Sequence, residues 1–314
     1  MGAGVGQVRA AALVRRARPR DRRGVATVLG ALLVLGILVA AFGLVLTQAV
    51  PAWMAQEESG LEAGVAGSLE GLQATLALQA GTGAPPVAYQ GISLSSGTVP
   101  LLASPTVGSL VFSPRTPGAF VNVSWSSGGA LVGWENRSLG ALTVALPNRY
   151  LPPVDYTLQG GMVVAAAPGG PAYRLVSPPP IAFSRSGGTE TIDATWVTME
   201  GPGVSTGGAG PHQIVDQLLG RTVTTGPATT ASAGTLAVSW TVGGPLACPF
   251  AAWAALALAG AGVPPSQYSI TAPAACGTGG AGTVTMVVVA GIGSFTLRSI
   301  DVGLGITAGT GGGP

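Results

Sequence analysis

No lysine occurs anywhere in this chain, and all 14 of its basic residues are arginine. Seven lie at or before Arg23, and the other seven are scattered from Arg115 to Arg298. Acidic residues are also few and only Asp21 precedes Gly24, so residues 1–24 carry +6 and the remainder −4. The isoelectric point of about 8.8 is therefore a property of the leader. A body of net negative charge lacks the basic face that nucleic acids require, which removes them as partners. Histidine occurs once, as His212 in a Gly/Pro-rich stretch, and there is no Cys-x-x-Cys pair, so a set of three or four zinc ligands is missing. The Gly-rich stretches GGAG and GTGGAG lack the lysine and helix of a phosphate loop and read as turns. Glu190, Asp193 and Glu200 share one strand-like run, while Asp155 and Asp216 are isolated. Any two of eleven outer acids can meet in space, so spacing alone marks no glycosidase pair. The chain reads as non-enzymatic, with no catalytic, metal or cofactor residue assigned.

What the chain does have is a run of 26 uncharged residues, Val25 to Val50, directly behind RRARPRDRR. A helix rising about 1.5 Å per residue needs roughly 20 apolar residues to cross a hydrocarbon core about 30 Å thick, so this run spans a membrane. Flanking arginines stay on the cytoplasmic side, which puts the N-terminus inside and everything after Pro51 outside. Pro51 removes an amide donor and is expected to kink the helix at the membrane exit, with Trp53 at the interface. Beyond it Leu61, Val65, Leu69, Leu72 and Leu76 recur at helical steps as one apolar stripe. Glu57, Glu58, Glu62 and Glu70 fall largely off that stripe. Gly60, Gly64, Gly67 and Gly71 are expected to mark a close packing face.

After GTGAPP at 81–86, turn signals alternate with short valine-rich runs of strand character. The expected fold class is α+β: a long N-terminal transmembrane helix, then mainly antiparallel, sandwich-like β modules with a short helix, CPFAAWAALALAG, in the C-terminal part. The expected organisation is a basic cytoplasmic leader over 1–24, a transmembrane helix over 25–50 and a helix extension over 51–80. A β-rich module over 85–200, a linker or crossover over 201–221, a second β-rich module over 222–308 and a flexible tail over 309–314 complete it. Trp125, Trp134, Trp196 and Tyr173 either pack the core, the default, or stack on sugars. Cys248 and Cys276 fall on the outer side, where thiols oxidise; a bridge would close a 28-residue loop and contribute about 3–4 kcal/mol, and two unpaired buried thiols are the alternative. Asn122-Val-Ser and Asn136-Arg-Ser are glycosylation sequons that use two of the three asparagines.

A secretory signal has an apolar region of about 7–15 residues, much shorter than the run here. The residues RRG followed by VATVLGALLVLGILVAAFGLVL resemble the class III signal of archaeal type IV pilin-like proteins, a family that includes archaellins and adhesion pilins. More loosely, PAWMAQEESG, VGWENRSLG, VSTGGAG and PFAAWAALALAG resemble a group of large archaeal pilin-like surface proteins. The resemblance implies cutting between Gly24 and Val25 by a prepilin peptidase. It also implies extraction by an assembly platform and ATPase, and packing of the helix against other pilin-like subunits. The fifth residue after that cut is Leu29, where bacterial pilins usually place glutamate, so the likeness is to the archaeal type. Cutting there would free the helix of +6, a charge that a filament core could not desolvate. The implied location is the cell membrane, single-pass, with lipid as partner and the body extracellular, within or beside a surface filament. The rivals are an unprocessed, membrane-anchored binding protein for a solute or glycan, marked by a pocket of convergent polar and aromatic side chains, and a tethered hydrolase.

Overall fold

The computed structural model describes residues 22–97, 104–127, 129–170, 173–226, 236–244, 246–272, 282–289 and 292–308. Most of the leader, the tail 309–314 and Cys276 lie outside the described residues. The chain divides into two compact units, Met1–Ala49 and Val50–Pro314.

In the first unit, helix α1 (Arg22–Leu44) is followed by a π-helical turn, Val45–Ala49. Proline at position 51 has no amide to donate to Thr47, and a wider turn just before it is a known way to absorb that loss. Thr47 adds its own bond, donating from Oγ1 to the Gly43 carbonyl at 2.8 Å.

The second unit opens with α2 (Val50–Thr82). The strands of the described residues then follow in order: β1 (Val87–Ser93), β2 (Ser109–Ser113), β3 (Phe120–Ser127), β4 (Ala130–Ser138), β5 (Ala141–Leu146), β6 (Val154–Gln159), β7 (Met162–Ala166) and β8 (Tyr173–Ser177). They continue with β9 (Ile181–Ser186), β10 (Thr189–Glu200), β11 (Val204–Gly207), β12 (Pro211–Gly226) and β13 (Leu236–Gly244). Helix α3 (Ala247–Gly260) precedes β14 (Tyr268–Thr271), β15 (Gly282–Val289) and β16 (Ile292–Ala308). They form three sheets, ordered β1-β12-β16-β10-β9, β11-β2-β5-β6-β7-β8 and β14-β15-β13-β3-β4. Every pairing is antiparallel except β10 with β16.

These sheets do not respect the expected division at 201–221. In that stretch β11 pairs with β2, and β12 begins and takes its place between β1 and β16, while β3 pairs with β13 and β10 with β16. Strands on both sides of the expected linker therefore share sheets, because neither half completes its hydrogen-bond ladders alone.

The buried side chains fall into two clusters. One gathers Leu61, Val65, Leu69, Leu72 and Leu76 of α2 with Leu110, Phe112, Leu142, Val144 and Leu158 of the six-stranded sheet and Ile300, Val302 and Leu304 of β16. The other packs Phe250, Ala254 and Leu258 of α3 against Trp125, Trp240, Met286, Trp196 and Phe295. Strands β10 and β16 are long enough to contribute to both.

Candidate functional site

Every large apolar side chain from Val28 to Leu44 is 56–68% exposed. The most apolar window of the helical run Thr27–Thr82 has a mean hydropathy of 2.8, and none of it is buried. At about 25 cal/mol per Å², such a surface is not stable in water without a cover. Glycines do not explain it internally: a Cβ at Gly30, Gly36, Gly43, Gly60, Gly64 or Gly67 would meet nothing within 4 Å, and only at Gly71 does it approach Gln90 Oε1, at 3.1 Å. The expected close packing face has little to pack against among the described residues. Gly24 and Val25 lie in the first turn of α1.

Helix α2, by contrast, is bolted to the body by polar groups as well as by its leucines. Glu58, expected off the apolar stripe, is fully buried. Its side chain lies four residues after buried Met54 and three before Leu61, on the stripe itself. Glu58 Oε1 accepts from the Arg149 amide (2.8 Å) and the Thr106 hydroxyl (2.5 Å), and Oε2 accepts from the amides of Tyr150 (2.9 Å) and Leu151 (2.8 Å). Burial pushes this carboxyl up, but those four donors together hold it below the ordinary glutamate value. Next to it, Asn148 donates to Glu62 at 2.6 Å.

Further along α2, Gln73 donates from Nε2 to the carbonyls of Gly161 (2.6 Å) and Pro178 (2.5 Å). Gln79 donates to Asp216 Oδ2 at 2.5 Å, and both residues are wholly buried. Gln79 Oε1 and Asp216 Oδ1 are left without partners. Burial raises the Asp216 carboxyl above the ordinary aspartate value. Arg221 closes the helix end, donating to the carbonyls of Ala80 (2.6 Å) and Gly81 (2.7 Å), where a cation also meets the negative end of the helix dipole.

The two sequon asparagines stand directly opposite each other in the β3–β4 ladder. Asn136 is exposed on the edge strand, whereas Asn122 is half-buried between two ladders and its Oδ1 is covered. They belong to a row Thr271, Thr285, Thr241, Asn122, Asn136 that crosses all five strands on one face. Of the aromatics weighed above, Trp125 and Trp196 are buried, Tyr173 is half-buried and Trp134 is 63% exposed. Cys248 is the second residue of α3, and no described cysteine is free.

His212 is buried, with Nδ1 3.1 Å from the Gly210 carbonyl. The acids are engaged separately: Asp193 with Arg298, Asp216 with Gln79, and Glu190 with Arg185, whose Nε lies 3.1 Å from Oε1 without hydrogen-bond alignment. Among the described residues no group of three or more His, Cys, Asp or Glu is placed to hold a metal ion. Comparison with known protein families, with curated proteins and with solved structures found no match.

Proposed function

We propose that this chain is a pilin-like cell-surface subunit of the archaeal type. A prepilin peptidase cuts it after Gly24, an assembly platform and ATPase extract it, and α1 then packs against other pilin-like subunits in a filament. One observation carries the reading: a long apolar helix with no cover of its own stands ahead of a helix fixed to its body by buried carboxylate, amide and guanidinium contacts. Lipid covers α1 before assembly and sister helices cover it afterwards. Glycines 30, 36 and 43, open on the surface, permit the close approach that such packing needs. The N-terminus is cytoplasmic, set by the arginine leader, and the body is a sandwich-like extracellular mass. A Cys248–Cys276 bridge and glycans on Asn122 and Asn136 belong to the same outward-facing reading.

The test is co-expression of the full chain with an archaeal prepilin peptidase, followed by N-terminal sequencing. The expected first residue is Val25, and Gly24→Ile should block the cut. An intact Met1 beside a control pilin that is processed would instead favour the unprocessed, membrane-anchored binding protein.

A further inference from the structure

We propose, resting on the reading in which Asn136 carries a glycan, that Trp134 is the docking surface for that glycan: its first sugar residue folds back along β4 and lies on the indole. Strand β4 is the edge of its sheet, and its alternation turns Gly133, Glu135 and Arg137 to one side and Trp134, Asn136 and Ser138 to the other. The first side is occupied. A Cβ at Gly133 would come within 2.3 Å of the buried Trp125 ring, and Arg137 reaches Asp301 of β16 at 3.2 Å. The second side is open, with Trp134 and Asn136 both exposed.

Sheet edges ordinarily turn charge, proline or a covering element toward solvent. On this one Leu131, Val132 and Trp134 are all more than half exposed, and the outward-facing Trp134, Asn136 and Ser138 carry no charge. Such a cluster of large apolar groups marks a contact surface. The row that begins at Trp134 continues through Ser124, Ser239, Val287 and Ser269, beside the row of threonines and asparagines that ends at Asn136. Neither row contains a charged residue. A flat aromatic ring set among uncharged hydroxyls suits a sugar, whose C–H face packs on the indole while its hydroxyls exchange hydrogen bonds with water and serine.

Reach selects the source of that sugar. Two residues along a strand span about 6.8 Å on one face, which is within reach of an aromatic side chain. A sugar attached to Asn136 Nδ2 is thus held beside the indole at high effective concentration. One open ring is enough for a tethered sugar, whereas a free one loses its translational freedom on binding and needs an enclosed site.

The experiment is hydroxyl-radical footprinting with residue-resolved mass spectrometry on the full chain made in an archaeal host that N-glycosylates, with a host glycoprotein as control. The unsubstituted chain is compared with Asn136→Gln and with Ser138→Ala, which abolishes the sequon should Asn136→Gln fail to fold. Glycopeptide analysis is expected to find Asn136 occupied. Oxidation of Trp134 is expected to rise several-fold in the variants while the buried Trp125 and Trp196 stay protected. An unoccupied Asn136 beside an occupied control overturns both the glycan at Asn136 and its docking. An occupied Asn136 with Trp134 oxidised equally in all the chains overturns the docking alone and leaves the glycan and the pilin-like reading in place.

Discussion

Two buried carboxylates on the underside of α2 respond to acid in opposite ways. The folded state lowers the Glu58 carboxyl, so its contribution is complete above the ordinary glutamate value and is lost as pH falls through the lowered one. Asp216 is raised, so its contribution is complete below the ordinary aspartate value and is lost as pH rises through the raised one. Glu58→Gln places an amide NH₂ against backbone donors and should cost about 2–4 kcal/mol at neutral pH, read from denaturant melts. Asp216→Asn should be neutral or stabilising at pH 7 and lose that advantage at pH 4. Its amide carries no charge to bury, and it keeps an oxygen to accept from Gln79 Nε2. A loss of stability at pH 7 from Asp216→Asn would show that the ionised carboxylate is the favoured form. Neither residue announced itself in the sequence. Glu58 read as an acid largely off the apolar stripe, because its four donors come from residues 106 and 149–151, far along the chain.

Among the elements, those with strict periodicity were legible and those with interrupted periodicity were not. The α2 stripe is buried as its spacing required, and SLVFS, ALTVAL, IAFSRS and TETIDATWVTME are the strands β2, β5, β9 and β10. Strand β12 read as loop and linker because PHQIVDQLLGRTVTTG holds proline, histidine and glycine, and adjacent Leu218 and Leu219 break the alternation. The structure resolves that break with a register shift between Leu218 and Gly220, which leaves Leu219 55% exposed. Strand β11, four residues long, is too short to carry a pattern of its own. The stripe makes a direct prediction: Leu69→Ala, at a fully buried position, should cost about 2–5 kcal/mol. Leu78→Ala on the same helix, at a position 53% exposed, should stay within about 0.5 kcal/mol in the same thermal melts.

At the scale of the whole molecule, the body from Val50 onward has its own cores, and the unit before it contributes exposed apolar surface. Deleting residues 1–49 should therefore yield a folded body that needs no detergent, with near-native circular dichroism and a monomeric mass in solution. An aggregated product would mean that the first unit is needed to complete the body. The account as a whole holds that α1 is retained in the finished protein and covered by lipid or by copies of itself. Intact-mass spectrometry of the protein recovered from its native cell surface addresses this most directly. The expected result is a chain that begins at Val25, keeps the whole apolar helix and sediments with membranes or filaments. A freely soluble chain that begins beyond Pro51 would contradict it.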